Sequence, residues 1–129
     1  MGFHHFFRRV TMTITALIEK IQEEKPNTFT AEKLLSFINE IETEVADQLF
    51  IDFVPYEEVD DTDLLVPAPY DRLYVSYVKS QVDYANEEYA SYQNNAAQHV
   101  QDFRDFVDWV VRTGQAVNST LPRKIRNIM

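Results

Sequence analysis

Residues 67–114 read PAPYDRLYVSYVKSQVDYANEEYASYQNNAAQHVQDFRDFVDWVVRTG, with no proline after Pro69 and no glycine before Gly114. Apolar side chains recur at helical spacing, first as Leu73, Tyr74, Tyr77, Val78, Val82, Ala85 and Tyr89, then as Tyr92, Ala96, Val100, Phe103, Val107 and Val110. One helix of about forty residues would be roughly 60 Å long, about four times the ordinary helix length and too long for a compact domain of this size. The stretch therefore predicts two helices with a break within residues 86–95, where NEEYASYQNN gathers three asparagines. Pro69 suits the first turn of the earlier helix, Asp71 the positive end of its dipole, and Gly114 the C-cap of the later one.

Before this stretch lie two further helical patterns. Ile14, Leu17, Ile18 and Ile21 keep helical spacing, with Thr13 as N-cap and Pro26 closing the segment. Leu34, Phe37, Ile38, Ile41, Val45 and Leu49 define a second helix through Phe50. Thr30 is its N-cap, and Phe29 is placed to pack on Leu34 as a hydrophobic staple. Glu40, Glu42, Glu44 and Asp47 are assigned to its outer faces, giving it a strongly acidic exterior. Residues 51–66, IDFVPYEEVDDTDLLV, lose the period and form a long irregular connection. Phe53, Val54, Tyr56, Leu64 and Leu65 suggest that it packs down in part, with room for a short strand or hairpin. The expected fold is all-α: a small bundle of about four helices with that connection between helices two and three. Residues 1–10 read as a flexible extension, 11–115 as the helical domain and 116–129 as a basic tail.

Composition narrows the chemistry. The 129 residues suit one domain, and the two glycines favour helices with few connections. Zero cysteines exclude disulfides, thiolate metal sites and cysteine nucleophiles. No run is long and apolar enough to be a membrane span. Residues 11–115 hold seven basic side chains against all 21 acidic ones, a net charge of −14, while Arg8, Arg9, Arg123, Lys124 and Arg126 sit at the ends. Such a body repels nucleic-acid phosphate. The tail could reach an acidic partner or the acidic surface of a sister subunit.

Patterns for catalysis are missing. Asp60, Asp61 and Asp63 lack the glycine that a calcium loop needs, and Asp71 stands where its bidentate glutamate would fall. Glu87 and Glu88 read as a solvated helix start. His4 and His5 are adjacent instead of i, i+4, and His99 has no second histidine near it in sequence. There is no phosphate loop, and no serine lies in a nucleophile elbow. The chain thus reads as a non-enzyme without metal or cofactor. Tyr70, Tyr74, Tyr77, Tyr84, Tyr89, Tyr92 and Trp109 mostly suit core packing, but Tyr74, Tyr77 and Tyr84 cover more than one helix face, so some should meet a partner.

The motifs also carry a resemblance. Lys25, Pro26 and Asn27 close the first helix, NEIETEV follows at 39–45, LVP and PYD at 65–71, and AN, EY and YQN at 85–94. In this combination residues 13–114 resemble small head-to-tail connector proteins, also called adaptor or head-completion proteins, of tailed bacteriophages and prophages of Gram-positive hosts. The chain departs from the pattern at Glu87, where relatives often carry glycine. The resemblance implies an all-helical structural subunit that forms a ring under the portal, meets neighbouring connector or tail proteins, and lets DNA pass without specific binding. It implies a place in the virion, and in the host cytoplasm during assembly. Tyr70, Tyr74, Tyr77, Tyr84, Arg123, Lys124 and Arg126 are the candidate interaction residues. Rival readings are a tail-completion protein of the same cluster, an acidic helical regulator or inhibitor that binds a basic host protein, and a metal-dependent enzyme.

Overall fold

The computed structural model describes residues 11–114. Its elements in chain order are β1 (Thr11–Thr13), α1 (Ile14–Glu24), α2 (Ala31–Leu49), β2 (Asp63–Pro67), α3 (Arg72–Ala85) and α4 (Tyr89–Thr113). The fold is mainly helical, but not purely all-α as expected. β1 and β2 pair antiparallel, with Thr11 opposite Pro67 and Thr13 opposite Asp63, and the register shifts between them. The end of the irregular connection is therefore a strand.

Local chemistry sets the helix ends. Thr13 Oγ1 accepts from Ala16 N–H at 3.1 Å and Thr30 Oγ1 from Lys33 N–H at 3.1 Å, each satisfying one orphan donor of its helix. Two more orphans of α1 are met by the connection: Ile14 N–H donates to Thr62 O at 3.0 Å and Thr15 N–H to Asp60 O at 3.1 Å. α2 ends where Phe50 turns left-handed, at φ 58°. Pro69 sits in the turn before α3, not in its first helical turn; Tyr70 N–H donates to Pro67 O across that turn, and the Ala68–Pro69 peptide is cis. α3 and α4 are antiparallel neighbours, since Arg72 reaches Asp102 and Asp105 at one end while Asp83 meets Ser91 and Asn95 at the other.

The core is shared by all elements except β1. Ile14, Leu17 and Ile21 of α1 meet Leu34, Ile38, Ile41 and Val45 of α2, Leu64 and Val66 of β2, Leu73, Val78 and Val82 of α3, and Phe106 and Val110 of α4. Each large apolar side chain removed from water contributes about 1.5–3 kcal/mol before entropic costs. In α4 the buried residues are Asp102, Phe106, Trp109 and Val110, so the turns before Asp102 are held only along one edge. The α3–α4 hairpin is packed at its base and projects surface toward its elbow.

Candidate interaction surface

The elbow itself is short. Residues 86–88 separate α3 from α4, inside the interval where the asparagines predict a break. Glu87 adopts φ 60°, a left-handed conformation that suits glycine. Asn86 N–H donates to Val82 O at 3.0 Å, Glu87 N–H to Tyr84 O at 3.0 Å and Glu88 N–H to Asp83 O at 2.9 Å, so backbone bonds close the turn.

Beneath the elbow lies a buried carboxylate. Asp83, fully buried, pairs with Lys25 Nζ at 2.6 Å and accepts from Ser91 Oγ and Asn95 Nδ2, both at 2.7 Å. Burial pushes its pKa up, but Lys25, Ser91 and Asn95 together hold it below the ordinary aspartate value. Lys25 also reaches Glu88 Oε1 at 2.9 Å, and its own pKa is raised by these two carboxylates. Asn27 holds the loop that delivers Lys25, donating through Nδ2 to Lys25 O at 2.9 Å and accepting from Phe29 N–H at 3.0 Å. The lysine-proline-asparagine motif thus ties the α1–α2 loop to the α3–α4 elbow.

A second buried carboxylate organises the connection. Glu42, assigned from its sequence neighbours to the outer face of α2, is instead fully buried. Tyr56 Oη and Tyr74 Oη donate to it at 2.6 Å each, and Leu65 N–H at 3.0 Å. Tyr74 Oη in turn accepts from Val66 N–H at 2.9 Å. Burial raises the Glu42 pKa more than these three donors lower it. One turn earlier, Asn39 clasps the Tyr56 backbone, accepting from its N–H at 2.9 Å and donating to its carbonyl at 3.1 Å. The irregular segment is therefore held to α2 by side chains of α2 itself.

The candidate interaction residues divide accordingly. Tyr74, named as a candidate interaction residue, is fully buried within the chain: its hydroxyl has the Glu42 carboxylate as acceptor and its ring lies in the core. Tyr77 is half-buried, donates to Glu40 Oε1 at 2.8 Å, and has its hydroxyl pKa pushed up by burial and by that carboxylate. Tyr70 is half-buried, stacked on Trp109 at 5.2 Å, and accepts from Arg112 at 3.2 Å. Tyr84 is 57% exposed, on the outside of the elbow. Arg123, Lys124 and Arg126 lie outside the described residues, as do the 1–10 extension and the 116–129 tail.

What the structure gathers at the elbow is an aromatic cluster. Tyr84 packs edge-on against Tyr89 at 5.8 Å and tilted against Tyr92 at 5.2 Å, and Tyr89 is 52% exposed. Along the outer side of α4, Val100 and Val111 are also exposed, 54% and 75%. Tyr89 was read from the sequence as part of the apolar repeat and among the aromatics that mostly suit core packing; the elbow turn leaves it exposed. On the inner side, rings run from Tyr77 through His99, Phe103 and Phe106 to Trp109, at centroid spacings of 5.1 to 6.1 Å.

One pair invites a chemical reading. Ser76 Oγ lies 3.5 Å from His99 Nδ1, but that nitrogen is 3.1 Å from Leu73 O. A carbonyl oxygen only accepts, so Nδ1 carries the proton and cannot take one from serine. Ser76 Oγ is itself turned back to the Arg72 and Leu73 carbonyls of its own helix. Burial lowers the His99 pKa, which favours the neutral ring. Asp60, of the acidic run, accepts from Thr62 N–H at 2.9 Å. Among the described residues no three His, Asp or Glu side chains converge on a point fit for a metal, and no helix is long and apolar enough to cross a membrane. No protein-family model, no curated protein and no solved structure matches the chain.

Proposed function

We propose that this chain is a structural virion-assembly protein: a head-to-tail connector subunit that assembles as a ring under the portal and leaves a channel for DNA. One observation carries the proposal from the structural side. The α3–α4 hairpin keeps Tyr84, Tyr89, Val100 and Val111 exposed, outside the apolar core. Aromatic and apolar groups left outside on a charged domain are what a protein–protein interface uses, and a ring subunit needs two such faces. The resemblance adds direction, because its motif residues hold the frame that carries this surface: Lys25 and Asn27 brace the elbow, and elsewhere Asn39 and Glu42 hold the connection to α2. A net charge of −14 over residues 11–115 suits the wall of a channel that must not retain phosphate. The reading includes the virion as location, the portal and neighbouring tail or connector proteins as partners, and no catalytic step.

The test is binding of the purified chain to portal protein and, separately, to purified tails of its own virus. Retention on the portal at physiological salt, weakened by Tyr84→Ser with Tyr89→Ser, is the expected result. Retention on tails alone would assign the tail-completion role, and retention on neither would remove the connector reading.

A further inference from the structure

We propose that the groove between the C-terminal half of α2 and the start of the 51–66 connection is the docking site for the C-terminal segment of the same chain, residues 121–129. The groove has a volume of about 560 Å³, within the roughly 300–1,000 Å³ usual for sites that take a small ligand or a few side chains. Its lining is of two kinds. Ile51, Phe53 and Phe103 are half-buried and apolar, while Glu44, Asp47 and Asp52 are acidic and exposed. No basic side chain lines it among the described residues.

Residues 121–129 are complementary in both respects. They carry Arg123, Lys124 and Arg126 with no acid, set between the apolar Leu121, Ile125, Ile128 and Met129. The cations of this segment suit the acidic rim that includes Glu44 and Asp52, and its apolar side chains suit Ile51, Phe53 and Phe103. Geometry allows the match within one chain. Phe103 and Gly114 are on the same helix and its cap, so the groove lies back from the chain exit by about 16 Å, at about 1.5 Å per residue. Arg123 follows Gly114 by nine residues, which span up to about 30 Å when extended, leaving slack for a turn. A tether of that length gives an effective concentration in the millimolar range, which favours the chain's own segment over a second copy at ordinary protein concentrations.

The absence of native cysteine gives a direct test in the full-length chain. Gln48→Cys is combined with Ile125→Cys, and for comparison Ala90→Cys with Ile125→Cys, Ala90 being exposed at the far end of α4. A disulfide needs its two Cα atoms within about 7 Å, so its rate of formation reads proximity. The expected result is an intramolecular disulfide in the 48/125 pair, formed at least tenfold faster than in the 90/125 pair and slowed several-fold in 1 M salt, where charge attraction is screened. Equal rates for the two pairs would overturn the proposal. A disulfide-linked dimer would assign the groove to a second copy, and faster closure of Gln48→Cys with Phe7→Cys would assign it to the N-terminal segment; either overturns it. Because Gln48→Cys alters the groove itself, a second measurement leaves it intact. R123E with K124E and R126E should raise amide exchange at least tenfold across residues 43–53, and unchanged exchange there would count against docking.

Discussion

Replacing Glu42 tests whether a buried carboxylate organises the connection. In Glu42→Ala the hydroxyl of Tyr74 and the N–H of Leu65 lose their acceptor inside the protein, whereas Tyr56, half-buried, can turn toward water. A buried donor without a partner costs about 1–3 kcal/mol, and the vacated side-chain volume adds to this, so the expected loss is about 3–5 kcal/mol. Against a total stability of about 5–15 kcal/mol that is a large fraction. With a urea m value of about 1.5 kcal/mol/M, the unfolding midpoint falls by about 2–3 M. Glu42→Gln should cost about 1–3 kcal/mol, because its amide NH₂ must face either Tyr74 or the Tyr56 and Leu65 donors, where an acceptor is needed. Tyr74→Phe should cost a similar amount, and combining it with Glu42→Gln should cost less than the sum, since both remove one bond. Urea unfolding followed by circular dichroism measures all four. A Glu42→Ala midpoint within about 0.3 M of the parent, corresponding to about 0.5 kcal/mol at the same m value, would refute the reasoning.

Other perturbations separate the remaining parts of the account. Lys25→Met leaves Asp83 buried with only Ser91 and Asn95 as partners, and should cost about 2 kcal/mol at pH 7, less than for a fully buried pair because Lys25 is partly exposed. Asp83 is held below its ordinary pKa in the folded state, so the unfolded chain binds its proton first; that part of the stability is present above the ordinary value and lost as pH falls through the folded one. Asp83→Asn should therefore flatten the acid limb of a stability-against-pH curve. Glu42 has the opposite sign: its folded pKa is raised, so its contribution declines as pH rises from the ordinary carboxylate value through the folded one, and Glu42→Gln should remove that slope. Glu87→Gly should raise stability by about 0.5–1 kcal/mol, the relief of a left-handed residue with a side chain set against a more flexible unfolded chain. Tyr84→Ser with Tyr89→Ser should leave the urea midpoint nearly unchanged while reducing self-association in sedimentation velocity, and a large midpoint shift would place those rings in the fold instead.

Local chemistry was readable from the sequence, and what pairs across the chain was not. Thr13 and Thr30 cap as their neighbours predict, Gly114 takes the left-handed cap at φ 72°, and the asparagines mark the interval of the break. The position of the turn within that interval is set by Glu87, whose side chain gives no sign of its backbone conformation. Residues 51–66 left room for a short strand, but the pairing itself was not readable, because three residues of β1 are too few for a period of two and β2 ends in a proline. Glu42 did carry a signal. It stands four residues after Ile38 and three before Val45, on the buried line of α2, but its place in a run of glutamates assigned it to solvent. Tyr74 lay in the same apolar repeat as Leu73 and Val78, and that repeat was the better guide than its hydroxyl. Asp83 was hidden for a different reason: its burial is made tolerable by Lys25, distant in sequence, together with Ser91 and Asn95 across the elbow.

Electron microscopy of portal rings incubated with the purified protein tests the proposal that this chain builds a ring on a portal. The expected result is added density coaxial with the portal, made of repeated copies around an open channel, and its loss when Tyr84→Ser and Tyr89→Ser are combined. Portal rings that remain bare at protein concentrations well above micromolar would contradict it.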